Sequence, residues 1–149
     1  MRTRRISIRT RTVIFNEKDE MLVQHHLTSR DDYYRLPGGG VNYREKLEDC
    51  VVREVSEETG LNVKTEHLLW VRDFLEQFSG HSVEFFFLAT ILGGEFKPTR
   101  ESDGSHFLFM RLEDLENAVF YPKEFLQKLE TVRADRNWVD KNPYVRSVN

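Results

Sequence analysis

Leu36 to Leu61 reads LPGGGVNYREKLEDCVVREVSEETGL. It opens with a proline and three consecutive glycines, so Leu36 to Val41 reads as a loop that no regular element should tolerate. Helix signals run from about Glu45 to Thr59 and stop at Gly60, the residue type expected just past a helix C-terminus. Leu47, Cys50, Val51 and Val55 form one apolar stripe at helical spacing, which should face a core. One heptad beyond the first three of these stand Glu54, Glu57 and Glu58, so the stripe continues in carboxylates. Neighbours at spacings of three and four, the acids repel by about 0.2–0.5 kcal/mol per pair. They also crowd the negative end of the helix dipole, which costs each about another 0.3–1 kcal/mol.

A solvated acidic helix end would require the helix to turn its core-facing stripe out to water halfway along. A bound divalent cation removes the conflict, because hard cations such as Mg²⁺ take oxygen ligands and neutralise clustered carboxylates. Arg53 stands four residues before Glu57 and can hold it by a charge-assisted hydrogen bond. An ordinary surface ion pair, worth about 0–1 kcal/mol, is the plainer account of that pair. The glycines let the backbone come close to a ligand, and the N-terminal amides of the following helix favour anions. Loop and helix together make a unit able to hold phosphate and metal.

Outward from this unit, Ile6 to Phe15 alternates roughly as a strand, Asn16 to Glu20 is a turn, and Met21 to Leu27 is a second strand. Arg30 to Arg35 reads as polar loop. Asn62 to Phe78 and His81 to Leu92 read as two long strands, the second buried on both faces around Val83, Phe85, Phe86, Phe87 and Leu88. His106 to Arg111 is a short strand, Leu112 to Val119 a short helix, and Pro122 starts a helix running to about Ala134. The tail after Asn137 has no clear period. Strands and helices alternate without regular βαβ spacing, so the expected class is α/β with a mixed sheet flanked by helices.

The 149 residues suit one domain spanning 1–149, and 39% hydrophobic content excludes disorder for lack of core-formers. With 22 basic and 25 acidic residues the net charge is −3, which argues against general nucleic-acid binding. One cysteine, Cys50, allows neither an internal disulfide nor a cysteine-rich metal site, so a reducing, cytoplasmic address is expected. The longest apolar stretch, around Phe85 to Leu92, is too short to cross a bilayer, and the arginine-rich start has no apolar segment behind it.

Gly39, Glu45 and then Arg53-Glu54-Val55-Ser56-Glu57-Glu58-Thr59-Gly60-Leu61 resemble the Nudix box, with every fixed position of that 23-residue pattern filled. Leu36-Pro37-Gly38 resembles its usual lead-in. The resemblance implies an α/β/α sandwich that hydrolyses a nucleoside diphosphate linked to another moiety. ADP-ribose, other nucleotide sugars, dinucleoside polyphosphates and nucleoside triphosphates all fit that description. It also implies Mg²⁺ or Mn²⁺ on Glu54, Glu57 and Glu58, with the Gly38 carbonyl as a candidate backbone ligand and with Glu45 and Arg53 orienting the acids. Gly38, Gly39 and Gly40 would border the substrate. The general base would be Glu57, Glu58 or an acid outside the box, for which Glu101 in Glu101-Ser102-Asp103-Gly104 is the candidate. A non-catalytic nucleotide-binding or regulatory module on the same fold is the alternative, although all the box acids are present.

Arg5, Ser7, Arg9 and Arg11 share a strand face and, with Arg2 and Arg4, make the first residues strongly basic. Solvated edge-strand charge is the expected role, with Arg9 and Arg11 as candidate phosphate contacts. Tyr33 and Tyr34 could stack on a base, Tyr34 being the candidate, while loop packing accounts for at least one of them. His25 and His26, adjacent on a strand, should point to opposite faces. Trp70, Phe74, Phe78 and the Phe85 to Phe87 run read as core or as the surface of a homodimer. Cys50 lies on the core stripe and reads poorly as a nucleophile.

Overall fold

The computed structural model describes residues 4–75 and 80–146. Among the described residues nine strands form two sheets. Strands β1 (Ile6–Val13), β4 (Gly38–Gly40), β5 (Leu61–Leu75), β6 (His81–Gly94) and β9 (Tyr144–Val145) make one, in the order β4-β1-β6-β5-β9. Strands β2 (Met21–Leu27), β3 (Asp32–Arg35), β7 (His106–Met110) and β8 (Phe120–Tyr121) make the other, in the order β7-β2-β3-β8. Both are mixed: β1 runs parallel to β6 and antiparallel to β4, and β3 runs antiparallel to β2 and parallel to β8. Helix α1 (Leu47–Thr59) follows β4, α2 (Leu112–Glu116) follows β7, and α3 (Leu126–Ala134) continues a 3₁₀ turn at Lys123–Phe125.

The core has two parts, divided by strand periodicity. On β6, Phe86 and Leu88 join one cluster with Val13, Trp70, Phe125 and Leu129, while Phe87 and Ala89 join the other with Val51, Val55 and Val63. Successive residues of a strand point to opposite faces, so Phe86 to Ala89 is buried on both sides, as the apolar run predicts. The first cluster takes the faces of α2 and α3, and the second takes α1.

Several expectations need correcting. Asp32–Arg35 is a strand, because it gains pairing partners on both sides, β2 and the distant Phe120–Tyr121. Gly38–Gly40 is a strand as well, at the sheet edge against Arg9–Arg11. Glycine suits it because a Cβ on Gly38 would run into the Thr10 carbonyl. Helix α1 begins at Leu47 rather than Glu45, since Lys46 has an extended backbone at ψ 151°, and the Glu45 carboxylate accepts from the Asn42 N–H at 2.9 Å. Strand β1 lies between β4 and β6 over Arg9–Arg11, so Arg9 and Arg11 are no solvated edge, whereas Arg5 and Ser7 are exposed as expected. The tail pairs with β5 through β9, and the Val71 N–H donates to the Pro143 carbonyl at 2.9 Å. The Phe78 end of the expected strand and Arg2 lie outside the described residues.

Candidate active site

Helix α1 is anchored by Cys50, Val51 and Val55, all fully buried. Glu54 and Glu58, on the continuing stripe, are therefore held half-buried, while Glu57 turns outward with 61% of its side chain exposed. Glu54 fits because Gly39 has no side chain: a Cβ there would collide with its carboxylate. The helix ends at Gly60, in the left-handed region at φ 78°. Its last carbonyls are satisfied by the segment after β6, where the Lys97 N–H donates to Thr59 at 2.8 Å and the Thr99 N–H to Glu58 at 2.9 Å. That segment carries Glu101 close enough for its charge to act on Glu58.

Arg53 gathers the acids. Its Nε donates to Glu45 Oε1 at 2.6 Å and its Nη2 to Glu45 Oε2 at 2.9 Å, a bidentate fork. Its Nη1 donates to Glu54 Oε1 at 2.8 Å and to Glu57 Oε2 at 3.4 Å, and its Nη2 also reaches the Gly40 carbonyl at 3.2 Å. The Arg53 bonds, with the Asn42 N–H, hold the Glu45 carboxyl down at about 2.

Glu58 is the opposite case. Its Oε2 is buried with no hydrogen-bond partner among the described residues. Burial, then the hydrogen bond and charge of Glu54, then Glu101, push its carboxyl up to about 9 against the pull of Arg11. Two facing carboxylates and an orphaned oxygen are a donor set that a hard divalent cation would satisfy. Among the described residues no three carboxylate, imidazole or thiol side chains already close into a metal cage. Water and substrate oxygens would complete the shell, as Mg²⁺ commonly requires.

A cavity of about 770 Å³ is built from both sheets. On β1 its lining alternates Ser7, Arg9, Arg11 before the same face continues as Val13 in the core. On β6 it alternates Ser82, Glu84, Phe86 before Leu88. The cavity thus continues the core face where aliphatic residues give way to arginines. Arg35 from β3 and Arg72 from β5 join Arg9 and Arg11, and Tyr33, Phe74, Phe86 and Tyr121 add ring surface. Glu84, 2% exposed, accepts from Arg11 Nε at 2.7 Å and from Arg72 Nη2 at 2.6 Å. Burial alone would raise its carboxyl, but the two guanidinium groups hold it below the ordinary value. Arg72 also lies over the Phe74 ring at 4.5 Å.

A family model described as NUDIX domain matches residues 7–129. The chain belongs to the NUDIX domain family. It is 34% identical over 94 residues to an ADP-ribose pyrophosphatase of Methanocaldococcus jannaschii, a match covering 61% of this chain and 56% of that protein. It is 34% identical over 116 residues to a human 8-oxo-dGDP phosphatase, covering 76% of this chain and 32% of that protein. The chain therefore spans about half or less of the length of these curated relatives. Its fold matches the crystal structure of an ADP-ribose pyrophosphatase from Streptococcus suis with a TM-score of 0.65 at 26% identity, over 95% of this chain and 98% of that one.

In this NUDIX chain Glu45, Arg53, Glu54 and Glu57 form one hydrogen-bonded group, and Glu54, Glu58 and Glu101 form one electrostatic group. Gly38 and Gly40 pair with Arg11 and Arg9, so the glycine strand joins the acids to the cavity strand. Tyr33 lines the cavity, whereas Tyr34 stacks on His25 at 4.2 Å. His25 bonds Asp32 and His26 bonds Ser105, on opposite faces as expected. Phe74 lines the cavity and Trp70 is core. Cys50 is buried against Thr10 Oγ1 at 3.3 Å, and burial raises its thiol pKa. Arg35, Arg72, Glu84 and His81 are lining residues that sequence reasoning missed. Charged residues at core-facing steps of long strands, Glu84 inside the run from Val83 to Leu88 above all, were the available signal. Among the described residues no helix is long and apolar enough to cross a membrane.

Proposed function

We propose that this chain hydrolyses a phosphoanhydride bond of a nucleoside diphosphate linked to a second moiety. The observation that carries this reading is a juxtaposition. The Glu58 oxygen, buried and without a hydrogen-bond partner among the described residues, feels the charge of Arg11, and Arg11 is one of four guanidinium groups that line the cavity. Mg²⁺ or Mn²⁺ would be held by Glu54, Glu57 and Glu58, with the Gly38 carbonyl as a further ligand. Bound there, it would neutralise phosphate charge and lower the pKa of a bound water.

The chain's own residues supply the rest. Arg9, Arg11, Arg35 and Arg72 bind phosphoryl oxygens, for which the planar guanidinium fork is suited. Tyr33, Phe74 and Tyr121 offer rings on which a base stacks. Water attacks phosphorus, the bridging P–O bond breaks, and a carboxylate takes the water's proton. Glu57, Glu58 and Glu101 are the candidates for that base, whose contribution is typically about 10²–10⁴-fold. Arg53 and Glu45 position the acids, Arg53 through its four-way hydrogen bonding. The rarity of cytosolic disulfides and the single cysteine support a cytoplasmic setting.

The test is a panel of nucleotide sugars, dinucleoside polyphosphates and nucleoside triphosphates with Mg²⁺ or Mn²⁺, followed by phosphate released on phosphatase treatment. Turnover in the native chain, reduced about 10²-fold or more in Glu58→Gln, is the expected result. Nucleotide binding without turnover across the panel would instead make the chain a non-catalytic binding module.

A further inference from the structure

A histidine, a serine and an aspartate meet at the end of β2. The face of β2 that begins in the core at Leu22 continues as Gln24, which accepts from Arg35, and then as His26. The register that pairs His25 with His106 puts Ser105 opposite His26. His26 Nδ1 and Ser105 Oγ are hydrogen-bonded at 2.9 Å, and Asp103 Oδ2 lies 3.6 Å from the same nitrogen. Ser105 is fully buried, and 15% of the His26 side chain is exposed. The Asp103 carboxylate accepts from the Ser105 N–H at 2.9 Å. That bond, and then the Ser105 hydroxyl, hold the Asp103 carboxyl below its ordinary value.

The same residues fasten the turn that carries Glu101. The Glu101 N–H donates to the Ser105 carbonyl at 2.8 Å, and the Gly104 N–H donates to the Glu101 carbonyl at 3.0 Å. Gly104, at φ 89°, brings the turn against the Leu27 carbonyl, where a Cβ would collide. At its other end the segment is tied to α1 by the Thr99 N–H, which donates to the Glu58 carbonyl at 2.9 Å. Between these ties stands Glu101, whose charge helps to raise the pKa of Glu58. Like charges repel, so Glu101 keeps that place because the backbone on each side of it is held. An apolar pair in place of His26 and Ser105 could fill the same space. A hydrogen bond adds direction, since it weakens steeply away from its preferred angle.

We infer that His26 is a positioning residue: through Ser105 and Asp103 it holds the 101–105 turn so that Glu101 stands beside the Glu58 end of α1. This rests on the hydrolase reading above, with Glu101 as the acid that takes the water's proton, and deepens it by naming the side chain that sets its place. A misplacement of about 1 Å at a reacting group can cost about 10²-fold in rate. The His26–Ser105 bond therefore acts on turnover through the turn, without contact with the reacting atoms.

The test compares variants, with Mg²⁺, on the panel compound that the native chain turns over fastest. His26→Phe keeps a ring against Tyr33, at 4.8 Å in the native chain, and loses the bond to Ser105. It should lower kcat by about tenfold or more and leave KM within about twofold. His26→Asn places an amide nitrogen where Nδ1 stands and should recover most of the rate. Ser105→Ala should lose about as much as His26→Phe, and the double variant no more than either. In a Glu101→Gln background His26→Phe should change kcat by less than about twofold, because groups that act as a unit are not additive. Independently of turnover, amide hydrogen exchange at Glu101 and Gly104 should quicken by about tenfold or more in His26→Phe, while exchange at Leu69 and Phe87 in the core stays unchanged. A full further loss of rate in the Glu101→Gln background, or no recovery in His26→Asn, would make the histidine merely structural and overturn the inference. Faster exchange with native kcat, or unchanged exchange, would overturn it as well and leave the hydrolase reading standing. No turnover of any compound by the native chain would instead remove the hydrolase reading, and the positioning role with it.

Discussion

Glu58 is the residue on which charge and burial conflict most. Its folded-state pKa is raised to about 9, so the folded chain binds a proton that the unfolded chain has already released above about 4.5. With more protons bound in the native state, stability falls as pH rises from about 4.5 toward 9. Glu58→Gln removes that slope and should raise the metal-free melting temperature by about 2–8 °C at pH 8, while leaving it nearly unchanged at pH 4. Thermal melts across that range check it. A variant that melts lower than the native chain at every pH would make the carboxylate structural. Glu84 behaves oppositely. Glu84→Gln leaves Arg11 and Arg72 without their buried acid and should destabilise the chain by about 3–5 kcal/mol in denaturant titrations. Part of that loss should return on adding inorganic triphosphate, which offers the arginines another anion.

At the scale of elements, α1 and the segment after β6 are one device. The helix C-terminus is closed by Gly60 and by the two N–H donors of Lys97 and Thr99, and the same segment delivers Glu101. Gly60→Ala puts a side chain at φ 78° and drives its Cβ toward the Glu95 carbonyl. The expected cost is about 1–3 kcal/mol, together with a drop in turnover, because the Glu101 segment can no longer sit on the helix end. Chemical denaturation and steady-state rates on one preparation read both; full activity in a destabilised variant would show that this segment does not serve the site. The glycine strand makes the same point from the other side. Gly39→Ala crowds the Glu54 carboxylate and should weaken divalent-cation binding while the helix content seen by circular dichroism stays unchanged.

At the scale of the whole molecule, folding and cation binding are linked. A ligand that binds only the folded chain raises its melting temperature with concentration. Glu58 must lose its proton to accept a cation, so the Mg²⁺-dependent shift should be small near pH 5 and grow as pH rises toward 9. The triple variant Glu54→Gln, Glu57→Gln, Glu58→Gln should lose the shift and keep its circular dichroism. A shift that survives in it would move the cation elsewhere, with Glu101 and Asp103 the first place to look.

Sequence alone determined the helix and its anomaly. Periodicity is local, so a core stripe turning into Glu54, Glu57 and Glu58, a bracketing Gly60 and an Arg53 four residues before Glu57 could all be read without a fold. The family and the acid group followed from the same stretch. The split into two sheets, the interior place of β1 and the strand at Asp32–Arg35 did not, because each depends on pairing with segments far along the chain, such as Phe120–Tyr121 and His81–Leu88. The cavity depends on it most. Arg9, Arg35, Arg72 and Glu84 come from four strands, and no spacing in the chain relates them. Whether an arginine on a strand meets water or a buried carboxylate is settled by what the neighbouring strand places opposite it, and only the tertiary structure decides that.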